Sequence, residues 1–183
     1  RRLDVPTDKT QAVLMVGFEG ASVTSEDRLA LELLEEACND MASRFFLRIR
    51  EEMGLAYYVG CSQMLGYSGG VFGFYLGTSI AQLDAVEEAM LEEIAGLGEK
   101  GPTPEEVKRA QKTYLGKNQI SRQSPGAMAG VEALDELFGL GYRSQDELAA
   151  RVEAHSVEKL TEVAGRYLKG RPPVIVRMVP GQE

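Results

Sequence analysis

The chain has 183 residues, 44% of them hydrophobic and 26% charged, which suits one soluble domain around a single buried core. Its net charge is −8, with basic residues scattered among acids, so nucleic acid is excluded as a partner for want of a concentrated basic face. No apolar run reaches the roughly 18 residues that span a bilayer, and no membrane insertion is expected.

The chain starts Arg1-Arg2 without a methionine and reads as a fragment or processed piece. Residues 1–10 are polar and read as a linker or entering arm, residues 11–180 as a single domain, and 181–183 as a tail. Gln11 to Gly20, "QAVLMVGFEG", is an apolar run closed by glycine, the pattern of a buried strand. "SEDRLALELLEEACND" predicts a helix with acids crowding its first turn. A second helix is predicted from Ala42 to Met53, stopped by Gly54. In it Phe45, Ile49 and Met53 recur every four residues as the buried face, with Asp40–Arg44 and Arg48–Glu52 as i,i+4 pairs.

"LAYYVGCSQML" and "GGVFGFYLGTS" predict two strands joined by a turn at Gly66 to Gly70. A helix follows from Ile80 to Leu97, ended by Gly98, Gly101 and Pro102, and its run "EEAMLEE" reads as a solvated face. Thr103-Pro104-Glu105-Glu106 is a strong helix start: Thr103 caps, Pro104 takes the first helical position and Glu106 completes a capping box. That helix runs to Arg122. Further helices begin after Ser124-Pro125 and near Ser144 and Ser156, and "PPVIVRMV" is the last strand. The predicted fold class is α+β: two layers, an antiparallel or mixed sheet of about four strands with helices on one face.

Few residues offer chemistry. Cys38 and Cys61 lie in apolar contexts without C-x-x-C spacing and read as buried free thiols. His155 precedes a helix start and reads as a near-surface residue beside an N-cap. With one histidine, neither a zinc site nor a Ser/His/Asp or Cys/His constellation can be assembled. The glycine-rich "GYSGGVFGFYLG" lacks the Lys-Ser/Thr of a phosphate loop.

Arg50 differs from its neighbours. The residues three and four away are Phe46, Leu47, Met53 and Gly54, so no carboxylate lies within helical reach. At about 100° per residue it falls on the flank beside Phe46. Either its partner is distant in sequence or on another molecule, or it is a surface arginine laying its stem along apolar surface. Tyr57 and Tyr58 follow. Strand alternation puts Tyr57 with Val59 and Cys61 and Tyr58 with Ala56 and Gly60. One tyrosine is then expected against the helices and the other on the open face, where a phenol can donate to a carbonyl oxygen.

The string "SRFFLRIREEMGLAYYVG" resembles a signature of the C-terminal, zinc-free half of the insulinase (pitrilysin) family of zinc metallopeptidases. The order of elements is similar across most of the chain. The resemblance implies the fold of the mitochondrial processing peptidases. It also implies no metal or cofactor in this chain and zinc in a homologous N-terminal half or partner subunit that carries H-x-x-E-H. Its other implied partner is a peptide substrate. By motif match, Arg50 would donate to substrate backbone carbonyls, and Tyr57, not Tyr58, to the scissile carbonyl as charge develops. Two departures stand out: Cys38-Asn39-Asp40-Met41 replaces a glycine cluster, and Tyr58 a small residue. The implied function is the non-catalytic half of a metalloendopeptidase, soluble in a bacterial cytoplasm or periplasm. The alternative is a non-enzymatic scaffold subunit of the same fold.

Overall fold

A computed structural model describes residues 1–181. Five strands form one mixed sheet: β1 (Arg2–Thr7), β2 (Ala12–Gly20), β3 (Tyr58–Leu65), β4 (Gly70–Thr78) and β5 (Val174–Pro180), in the order β1-β5-β2-β4-β3. The helices are α1 (Arg28–Asn39), α2 (Leu83–Lys100), α3 (Pro104–Ser121), α4 (Pro125–Leu137), α5 (Leu148–Glu153) and α6 (Val157–Leu168). A π-helix covers Phe46–Glu52, and a 3-10 turn at Ile80–Gln82 leads into α2.

The two-layer α+β class expected from the sequence is the one observed, but the sheet has five strands, not about four. The fifth is β1, within the segment read as a linker or arm. It pairs in parallel with β5, from Arg2 opposite Ile175 to Thr7 opposite Pro180. As an edge strand it tolerates Pro6 and charges that a central strand would not. Gly181 donates its N–H to the Thr7 carbonyl at 2.9 Å; residues 182–183 of the expected tail lie outside the described residues.

Alternation decides what the sheet buries. Leu14, Val16 and Phe18 of β2 pair with Leu76, Phe74 and Phe72 of β4, and all six are buried. With Cys61 of β3 they form the floor on which Leu33, Leu34, Met90, Ile94, Leu160 and Val163 of the helices pack. Phe74 is the centre of an aromatic cluster, stacked on Phe45 at 5.0 Å and edge-on to Phe72 at 5.4 Å. The other face carries Leu3, Val5, Met15, Val71, Val174 and Met178, which stay exposed. The β4 glycines belong to this face. A Cβ on Gly77 would lie 2.4 Å from the Tyr58 ring, and one on Gly60 of β3 would lie 2.7 Å from Tyr75, so each aromatic lies across a glycine of the neighbouring strand.

Charges on the helix side fasten β1. Glu87, from the run expected to be solvated, is buried. It takes an ion pair from Arg2 and lies 3.7 Å from Arg177, which also reaches Asp84 at 2.7 Å. A carboxylate buried this far persists only with cations beside it. Acids do not crowd the first turn of α1. Asp27 precedes it and is claimed by Arg166 of α6.

Candidate substrate-facing site

Helix α1 ends at Asn39, whose side chain acts as a short strand against the free edge of β3. It donates to the Cys61 carbonyl and accepts from the Cys61 N–H, both at 2.8 Å. Asp40 turns the chain, accepting from the Ala42 N–H at 3.0 Å, and the buried Ser43 accepts the Phe46 N–H at 3.2 Å. These contacts launch the segment that the sequence reading took as an ordinary α-helix.

Arg44 is tied down first. It binds Glu106 of α3 through two nitrogens, at 3.1 and 2.6 Å, and donates to the Gly101 carbonyl at 3.0 Å. Glu106 is shared: the Thr103 N–H donates to it at 2.7 Å, and Thr103 accepts from the Glu106 N–H at 3.2 Å, completing the predicted capping box. Burial alone would raise the Glu106 carboxyl, but Arg44 and the Thr103 N–H outweigh it and hold the group below its usual range. Arg48 is also taken, by Glu93 at 2.6 Å and by Glu92. The expected local pairs, Asp40–Arg44 and Arg48–Glu52, therefore do not form. Asp40 lies outside the helix and pairs with Arg109. From Phe46 onward the turns close from residue i to i+5, as in the 3.0 Å bond from the Met53 N–H to the Arg48 carbonyl, so residues four apart drift off one line. The same drift exposes Met53, while Phe45 and Ile49 stay buried.

Arg50 is exposed, with its guanidinium 4.8 Å from the centroid of the Phe46 ring. Such a cation–π contact at the surface contributes about 0.5–1 kcal/mol and leaves the N–H groups free to donate. Among the described residues Arg50 has no ion-pair partner. Gly54, at φ +63°, then reverses the chain, a conformation that favours glycine, and the Leu55 N–H returns to the Ile49 carbonyl at 3.1 Å.

Tyr57 is 57% exposed and Tyr58 42%, so neither packs against the helices as alternation suggested for one of them. The reason is local. Strand β3 starts at Tyr58, and Tyr57 precedes it in a bend, held only by its N–H to the Gly77 carbonyl at 2.8 Å. Tyr58 lies across Gly77, with its ring 6.3 Å from Tyr75. The Tyr57 ring is left outward. No hydrogen bond joins Arg50 to Tyr57 among the described residues; what unites them is one exposed ridge of the chain, flanked by Leu47 and Met53. A surface depression of about 740 Å³ lies elsewhere, against β1 and α2, and includes neither residue.

His155 is half-buried beside the Ser156 N-cap, its Nδ1 2.7 Å from the Arg151 carbonyl. Among the described residues no group of three or more His, Cys, Asp or Glu is placed to hold a metal ion. The residues of this chain do not fit a zinc centre. Among them too, no helix is long and apolar enough to cross a membrane.

The profile of the peptidase M16 inactive domain matches residues 1–114. The chain belongs to that family. It is 31% identical over 168 residues to an uncharacterized zinc protease of Streptomyces coelicolor, covering 91% of this chain and 36% of that one. An uncharacterized zinc protease of Bacillus subtilis is 28% identical, over 84% of this chain and 38% of its own length. The chain thus spans little more than a third of these relatives. Its fold matches the crystal structure of a peptidase M16 inactive domain from Pseudomonas fluorescens with a TM-score of 0.87, at 19% identity, over 99% of this chain and 43% of that one.

Proposed function

We propose that this M16 inactive domain serves as the non-catalytic half of a zinc metalloendopeptidase, closing the proteolytic chamber and holding the peptide. A homologous half, in the same polypeptide or another subunit, supplies the zinc, which polarises the scissile carbonyl and activates water when bound there. Arg50 donates to backbone carbonyls of the peptide. Tyr57 donates its phenolic O–H to the scissile carbonyl oxygen as negative charge grows on it. The observation that carries this reading is the state of Arg50: the acids around it are committed to Arg44 and Arg48, and its donors point at nothing in this chain.

The exposed apolar face of the sheet supports a partner, since Leu3, Val5, Met15, Val71, Val174 and Met178 form a surface too extensive for scattered exposure. So does α4, where Met128, Leu134 and Leu137 are exposed while Asp135 is buried. The test uses the assembled enzyme. Tyr57→Phe lowers kcat with little change in KM, and Arg50→Ala raises KM. Alone, this chain binds no stoichiometric zinc and cleaves no peptide; cleavage by it alone sinks the proposal. If no H-x-x-E-H sequence accompanies it upstream or in a neighbouring subunit, the scaffold reading replaces this one.

A further inference from the structure

We infer that Cys38 and Cys61 are an oxidisable thiol pair, a site of reversible disulfide formation that staples the end of α1 to β3. The two residues come from separate elements and are buried in the same core cluster. Their thiols are hydrogen-bonded to each other. The Asn39 side chain, next to Cys38, grips both the N–H and the carbonyl of Cys61 at 2.8 Å, which fixes the two backbones in register. A thiol pair held this way has a high effective concentration for closure. The proposed peptidase role uses neither cysteine, and the staple does not rest on that role.

Burial pushes the Cys61 thiol up, so in the closed structure it stays protonated and unreactive. Access is through the last turn of α1 and the adjoining edge strand, a small opening of the kind that exposes buried groups without global unfolding. The oxidant is a small disulfide such as oxidised glutathione. One cysteine thiolate attacks it, forming a mixed disulfide and expelling one glutathione thiolate. The second cysteine thiolate then attacks the protein sulfur of that mixed disulfide and expels the second glutathione thiolate. The protein loses two electrons and two protons, and the oxidant becomes two glutathione thiols. The closed loop contains the π-helix, Arg50 and Tyr57, so oxidation pins the base of the candidate site.

The full chain is incubated with oxidised glutathione, its remaining thiols are alkylated and its intact mass is measured. The expected product has lost about two mass units and takes up no alkylating agent. Its unreduced tryptic map joins peptides 29–44 and 51–100, and dithiothreitol restores both thiols. Cys38→Ser abolishes the mass loss. The proposal is overturned if both thiols are alkylated after prolonged incubation, if they carry only glutathione, or if the disulfides link separate chains. The readout is on the unsubstituted protein, so a variant that fails to fold does not shield the idea.

Discussion

Glu35 offers a mutation expected to stabilise the protein. It sits on α1, partly buried, with Glu36 and Glu32 as neighbours and the Gln63 N–H donating to its carboxylate. Burial first, and then the adjacent Glu36, push its carboxyl from 4.5 up to about 7. In the unfolded chain the group ionises at the lower value, so between the two values the unfolded state binds fewer protons. Its contribution is therefore fully present below about pH 4.5 and is lost as pH rises through about 7. One pH unit is worth about 1.4 kcal/mol, which sets a ceiling of about 3.4 kcal/mol; partial exposure reduces this to about 1–2 kcal/mol. Glu35→Gln removes the titration while its amide oxygen still accepts from Gln63. The variant is expected to exceed the parent by about 1–2 kcal/mol near pH 8 and to match it near pH 4. Urea unfolding followed by circular dichroism at a series of pH values measures the difference, and other carboxylates cancel between the two proteins. A difference that does not change with pH would falsify the reasoning.

In the assembled peptidase, Tyr57→Phe is expected to reduce kcat about 10²–10³-fold, the effect of losing one donor to a developing oxyanion; steady-state kinetics on a fluorogenic peptide read it, and an unchanged kcat removes Tyr57 from the chemistry. Glu106→Ala breaks the paired guanidinium of Arg44 and the capping box together, and is expected to cost about 3–5 kcal/mol in denaturant unfolding. Thr103→Ala, which removes only the cap, costs about 1 kcal/mol, and equal losses from the two would show that the Arg44 pair contributes nothing. Gly101→Ala puts a Cβ 2.0 Å from Thr161 Oγ1 at a φ of +71°. Its Tm is expected to drop by at least about 4 °C, with partial recovery on adding Thr161→Ala.

Much of the fold follows from local chemistry that is legible residue by residue. Thr103-Pro104-Glu105-Glu106 states a helix start because its hydroxyl and carboxylate satisfy N–H groups three positions apart. Gly101 marks the end of α2 because the chain there needs a positive φ, and its N–H closes on the Leu97 carbonyl at 2.9 Å. Strand β1 was illegible for the opposite reason. Its stability comes from a parallel partner at the far end of the chain and from Arg2 meeting the buried Glu87, none of which leaves a periodic trace beyond Leu3 and Val5. The π-helix was hidden too. Its residues are good helix formers, and the wider turn is set by what grips its ends: Ser43 and Arg44 before it, and the Leu55 N–H bond to Ile49 after it.

The wider turn also changes why Arg50 stands out. In a regular helix, Arg44 and Arg48 would each have had an acid four residues away, and Arg50 would have been singular for lacking one. In the folded chain none of the three uses a near neighbour. Arg44 takes Glu106 from α3, and Arg48 takes Glu92 and Glu93 from α2, across gaps that sequence spacing does not show. What separates Arg50 is that tertiary structure brings it an aromatic ring and no carboxylate among the described residues. An arginine on a chain with a net charge of −8 has acids within reach almost anywhere on the surface. Leaving one of three adjacent arginines unneutralised, on an exposed ridge that Tyr57 continues, is what a surface built to meet another molecule's carbonyls requires.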